Sequence, residues 1–70
     1  MNCNDIKAFG QLIKSRRKEL GYTQKDVANV SGLSVSFISD VENGKETIEF
    51  AKTIRLANLL GLDVFANRRG

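Results

Sequence analysis

Gly21 to Lys45 reads GYTQKDVANVSGLSVSFISDVENGK, two short helices joined by a tight turn. Thr23 offers a hydroxyl N-cap, and Asp26 three residues on makes a variant of the capping box. Such a box satisfies orphan N–H groups and places a carboxylate at the positive end of the helix dipole. A helix is therefore predicted over 24–31. Val27, Ala28 and Val30 supply its apolar side, and Gly32 stands where a helix needs a residue free to adopt the left-handed conformation. Ser34 is a second N-cap and Asn43-Gly44 a second stop, so another helix is predicted over 35–43. At 100° per residue, Phe37, Ile38 and Val41 fall on one side of it. Ser36, Ser39 and Asn43 fall opposite, flanked by Val35 and Asp40. One side packs, with Phe37 read as core, and the other is presented. Small polar side chains let a helix lie close against a groove, which is what a DNA-recognition helix requires.

Outward from this pair, Asn4 can cap a helix running to about Leu20, with Ile6, Phe9, Ile13 and Leu20 at helical spacing and Gly21 as its stop. Gly10 lies inside that helix, as a close-packing contact or as a merely tolerated glycine. On the other side, Thr47 can cap a fourth helix from about Ile48 to Leu60, ended by Gly61. Phe50, Ile54 and Ala57 line one stripe of it, and Leu56, Leu59 and Leu60 widen the apolar arc beyond what a single core requires. Residues 62–66 then carry a short strand signal, with β-branched and aromatic side chains and no partner strand in the same chain. A symmetric mate would supply one; the alternative is an irregular tail folded onto the core. The expected organisation is a frayed 1–4, one domain over 5–61, a strand over 62–66 and a disordered 67–70.

Seventy residues make one small domain, which buries only about 60% of its unfolded surface, so oligomerisation is an expected source of stability. With no His and a single Cys, Cys3, there is neither a disulfide within the chain nor a His-rich metal site, and no cofactor is expected. Cys3 is expected to be an exposed thiol in a reducing cytosol. Eleven Lys and Arg against eight Asp and Glu make the chain moderately basic, a weak argument for nucleic acid unless the charges are grouped. They gather in Lys14, Arg16, Arg17 and Lys18, in Lys45, Lys52 and Arg55, and in Arg68 with Arg69. No apolar run approaches the ~20 residues of a membrane span, and no signal peptide is evident, so a cytoplasmic protein is expected. The carboxylates fall on helix surfaces or caps and the glycines are spaced as helix stops. No catalytic constellation is present, and enzyme activity is not expected.

The segments LGYTQ, DVANVSGLS and SFISDVENGK resemble, in register, the Xre/Cro/lambdoid-repressor helix-turn-helix family, over about Ile13 to Leu62. Leu20 to Gln24, Gly44 to Ile48 and the short tail look most like HipB-type antitoxins. The resemblance implies base-edge contacts by Val35, Ser36, Ser39 and Asp40, where Val suits a thymine methyl and Asp a cytosine amino group. Asp40 could equally discriminate against wrong sequences or point away. It implies phosphate contacts by Gln24, with Lys25 beside it, and by Asn43 and Lys45. It also implies an ion pair of Arg17 with Glu42 that fixes the recognition helix. No Arg or Gln stands on the presented face, a departure from better-known phage repressors.

The expected fold is all-α, a four-helix lambda-repressor-like domain with a C-terminal strand that pairs across a homodimer through Leu56, Leu59, Leu60, Leu62, Val64 and Phe65. The expected function is repression from a palindromic double-stranded DNA operator, as the antitoxin of a HipA-like kinase toxin. Two other readings stand beside it: a stand-alone phage-type repressor or restriction-modification controller, and a protein-interaction module that does not bind DNA.

Overall fold

A computed structural model describes residues 6–45 and 49–63. Four helices follow one another: α1 (Ile6–Glu19), α2 (Gln24–Ser31), α3 (Val35–Glu42) and α4 (Phe50–Leu59). They enclose one core, built from Phe9 and Ile13 of α1, Val27 of α2, Ile38 and Val41 of α3, and Leu56, Ala57 and Leu60 in and just after α4. Ile13, Ile38, Leu56 and Leu60 are almost wholly removed from water, each contributing ~1.5–3 kcal/mol of burial free energy.

The inward face of α1 is Phe9, Gly10, Ile13 and Arg17. Ile6 and Leu20, expected on it, are about two-fifths exposed: Leu20 follows the last helical turn, and Arg17 takes the inward place one turn after Ile13. Gly10 is a close-packing glycine. A Cβ there would lie 2.3 Å from the Val41 carbonyl oxygen and 2.9 Å from that of Glu42, so the α1 backbone rests directly on the last turn of α3. The expected cap Asn4 lies outside the described residues.

Both reciprocal bonds of the capping box at α2 are present. The Asp26 N–H donates to Thr23 Oγ1 (3.0 Å), and the Thr23 N–H donates to Asp26 Oδ2 (2.9 Å). These bonds hold the Asp26 carboxyl below the usual range, the Thr23 N–H contributing most. Gly32 ends α2 at φ 76°, its N–H on the Ala28 carbonyl. The turn that follows is pinned from inside. Leu33 is buried, its N–H donates to Ser31 Oγ (3.1 Å), and Arg55 of α4 donates to the Ser31 carbonyl. Ser34 then caps α3 by accepting from the Phe37 N–H (3.0 Å).

The fourth helix differs from its sequence reading. It begins at Phe50 after Glu49, which makes no side-chain cap bond; Thr47 lies outside the described residues. Its buried face is Thr53, Leu56 and Ala57, continued by Leu60, whereas Phe50 is 61% and Leu59 44% exposed. Leu56 and Leu60, expected in a dimer interface, are 0% and 1% exposed within the single chain. That assignment is corrected: a helix arc one turn long at 56 and 60 is what closes this small core. Leu62 packs partly against the same core, its N–H on the Ala57 carbonyl. No strand occurs among the described residues. Leu62 and Asp63 have no regular structure, and the remainder of the expected strand, including Val64 and Phe65, lies outside them.

Candidate nucleic-acid interface

The serine face of α3 is presented as a helix with two chemically distinct sides must present it. Ile38 and Val41 point inward and Phe37 is half-buried against the core. Ser36 is exposed, Val35 is 41% exposed, and Ser39 and Asp40 are half-exposed. Asn43, at the C-cap, donates from Nδ2 to Ser39 Oγ (3.4 Å), so these two polar groups are already in reach of one another. Asp40 is balanced locally by Lys45, Nζ to Oδ1 3.8 Å. That exposed pair is worth under ~1 kcal/mol and gives way readily to another partner.

At the start of α2, Gln24 occupies the first helical position and Lys25 beside it is exposed. The N–H groups of a first turn lack intrahelical acceptors, which with the dipole makes such an end favourable to an anion. The Gln24 side chain, however, is not free. Its Nε2 donates to Glu42 Oε1 (3.1 Å).

Glu42 is the centre of a buried network. Arg17 Nε donates to its Oε2 (2.7 Å) and Arg17 Nη2 to its Oε1 (3.0 Å), the two-pronged geometry that suits a guanidinium to a carboxylate. The third arm, Nη1, donates to the Tyr22 carbonyl (2.9 Å). With side chains 9% and 2% exposed, the pair links α1, the approach to α2 and the end of α3. Burial by itself would push the Glu42 carboxyl up; the hydrogen bonds from Arg17 and Gln24 and the charges of Arg17 and Lys14 outweigh it and hold the group below the usual range. Arg17 is raised, chiefly by its bond to Glu42.

Three arginines counted in the sequence clusters donate to carbonyl groups of other segments. Arg17 is one. Arg55 holds Ser31 at the end of α2, and Arg16 Nε donates to the Leu60 carbonyl (2.9 Å) at the end of α4. The bonds of Arg55 and Arg16 cap the C-terminal ends of α2 and α4, so these two side chains have a structural partner that position in the sequence does not show. Arg16, Arg55 and Leu33 carry structural roles the sequence reading missed; the apolar Leu33 between Gly32 and Ser34, inside a polar turn, is the one signal that pointed to any of them.

Among the described residues no group of His, Cys, Asp and Glu is placed to hold a metal ion, and no helix is long and apolar enough to cross a membrane.

The helix-turn-helix family profile HTH_3 matches residues 13–65. The chain is 38% identical over 60 residues to the ImmF control region 10 kDa protein of Bacillus phage phi105, covering 86% of this chain and 67% of that one. It is 34% identical over 56 residues to the uncharacterized HTH-type transcriptional regulator y4mF of Sinorhizobium fredii, covering 80% and 74%. Among solved structures, the restriction-modification controller protein C.AhdI from Aeromonas hydrophila superposes with a TM-score of 0.72 at 30% identity, covering 84% of this chain and 86% of that one. These relatives are regulators rather than enzymes. The chain is a member of the Xre-like helix-turn-helix family of DNA-binding transcriptional regulators.

Proposed function

We propose that the protein is a sequence-specific repressor that binds a palindromic operator as a homodimer, in the cytoplasm, with α3 in the major groove. Val35, Ser36, Ser39 and Asp40 read base edges, while Gln24, Lys25, Asn43 and Lys45 contact phosphates. The observation that carries this reading is the division of α3. Its apolar side is locked in the core and its far end is tied to α1 by the Arg17–Glu42 pair, so its small polar side is offered to solvent at a fixed angle. A helix held in this way can enter a groove without reorganising.

Support for a second copy comes from exposed apolar surface outside α3. Tyr22 and Val30, 49% and 73% exposed, and Leu59 flank an open groove of about 520 Å³ between α2 and α4, apolar surface that a mate would cover. Leu59, with Leu62, Val64 and Phe65, belongs to that proposed interface, and a strand over 62–66 pairing across it is part of the proposal. Two recognition helices would then sit about 34 Å apart, one turn of DNA.

Of the possible settings, likeness to a phage control-region protein and to a restriction-modification controller favours a phage-type repressor or restriction controller. The antitoxin setting, with a HipA-like kinase toxin as second partner, has the LGYTQ segment and its neighbours in its support. Purification from the native cells separates the two, since only the antitoxin brings down a kinase. The DNA reading itself is tested by a salt titration of duplex binding. Affinity should fall steeply, with a slope near −0.9 per phosphate neutralised by a charged group. Binding indifferent to salt would refute it and favour a protein-interaction module.

A further inference from the structure

Gln24 and Glu42 lie on different helices, yet they share a hydrogen bond at the point where α2 begins and α3 ends. We propose that Glu42 is a positioning residue for DNA binding: it orients the Gln24 amide so that the second Nε2–H is the group offered to a backbone phosphate. The inference rests on the DNA-binding reading above.

A carboxylate can only accept hydrogen bonds, whereas a glutamine amide has a donating edge and an accepting edge related by a half-turn about its last bond. Facing ionised Glu42, only the donating edge is satisfied. One Nε2–H is used by Glu42 Oε1, and the other remains to donate. Without that anchor the amide turns either way, and in one of its two orientations it meets a phosphate with its carbonyl oxygen.

The anchor is itself held on several sides. Glu42 is 2% exposed and gripped by both prongs of Arg17. The same Arg17 holds the Tyr22 carbonyl, two residues before Gln24, so backbone and side chain at the start of α2 are fixed by one buried pair. A phosphate that binds there does not have to order the side chain. Ordering a flexible side chain on binding costs ~0.5–1.5 kcal/mol, which corresponds to about two- to twelvefold in affinity per half-site.

Two measurements test this on the full chain. The first is a cycle of duplex affinities in which Gln24→Ala is introduced into the wild-type protein and into the doubly replaced Arg17→Met, Glu42→Leu protein, whose apolar pair fills the same space. The loss caused by Gln24→Ala should be several-fold in the first background and smaller in the second. Equal losses overturn the positioning role and leave DNA binding standing; a wild-type protein that binds no duplex overturns both.

The second measurement uses the wild type alone. The chain has two glutamines, Gln24 and the exposed Gln11, so nitrogen relaxation and hydrogen exchange of the two side-chain amides provide an internal control. The Gln24 amide should be rigid and protected beside a mobile Gln11 amide. Equal mobility of the two overturns the proposal, whether or not the doubly replaced protein folds.

Discussion

Gly10→Ala probes the contact on which the angle of α3 depends. An added Cβ would stand 2.3 Å from the Val41 oxygen, 2.9 Å from the Glu42 oxygen and 3.1 Å from the Glu42 carbonyl carbon. Ordinary contact begins at 3.4 Å, so about 1 Å of separation between α1 and α3 is required. All three opposing atoms are backbone, and no side chain can swing aside to provide it. Overpacking of this kind costs ~1–3 kcal/mol, with backbone opposition placing it at the upper end. Alanine returns ~0.8–1.0 kcal/mol through its better helix propensity. The expected net loss is ~2 kcal/mol, a fall in melting temperature of roughly 8–16 °C for a domain of this size. DNA affinity should fall with it, because Glu42 is displaced together with its bonds to Arg17 and Gln24. Urea denaturation followed by circular dichroism measures the first effect and a mobility-shift titration the second. A variant as stable as the wild type, or stabilised by the propensity gain, would show that α1 and α3 do not approach each other as described.

Arg17→Ala leaves the buried Glu42 carboxylate without its main partner and should destabilise the domain by ~3–5 kcal/mol, while Arg17→Met with Glu42→Leu should recover stability better than either single change; additive losses in a denaturation cycle would mean that the two do not interact. Because the Glu42 carboxyl is held below its ordinary value, its contribution is fully present above the unfolded carboxyl's pKa of ~4.3. It is lost as pH falls through the lowered value, so the acid-induced loss of stability seen in thermal melts should be shallower for the Met/Leu protein. Ser36→Glu should abolish specific duplex binding with little change in melting temperature, since Ser36 is exposed and an added carboxylate meets the phosphate-lined groove; a collapse in stability would contradict the assignment of the helix faces. Truncation after Asp63 should convert a sedimenting dimer to a monomer that retains its circular dichroism spectrum. Identical sedimentation of both proteins would remove residues 64–70 from the interface.

What could be read from the sequence is local chemistry. The Thr23–Asp26 box, the Ser34 cap, the stop at Gly32 and the two-sided pattern of α3 depend on groups within four residues of one another, and such bonds form in whatever surroundings the helix finds. Even the Arg17–Glu42 pair has a local trace. Each charge stands one turn beyond a core residue, Ile13 or Ile38, where the apolar stripe would otherwise continue.

Tertiary structure decided what depends on the far side of a contact. An apolar arc on α4 states how much surface avoids water but not which body covers it, and the chain's own core takes Leu56 and Leu60 while leaving Phe50 and Leu59 outside. A glycine within a helix is silent until the Val41 and Glu42 carbonyls are seen against it. A cluster of basic residues reads as one positive surface until Arg16, Arg17 and Arg55 are found reaching three separate carbonyls. Arginine carries its charge on a long arm, so position along the helix does not say whether that arm meets solvent or folds back to a helix end. Only the packing of the four helices places those acceptors within reach.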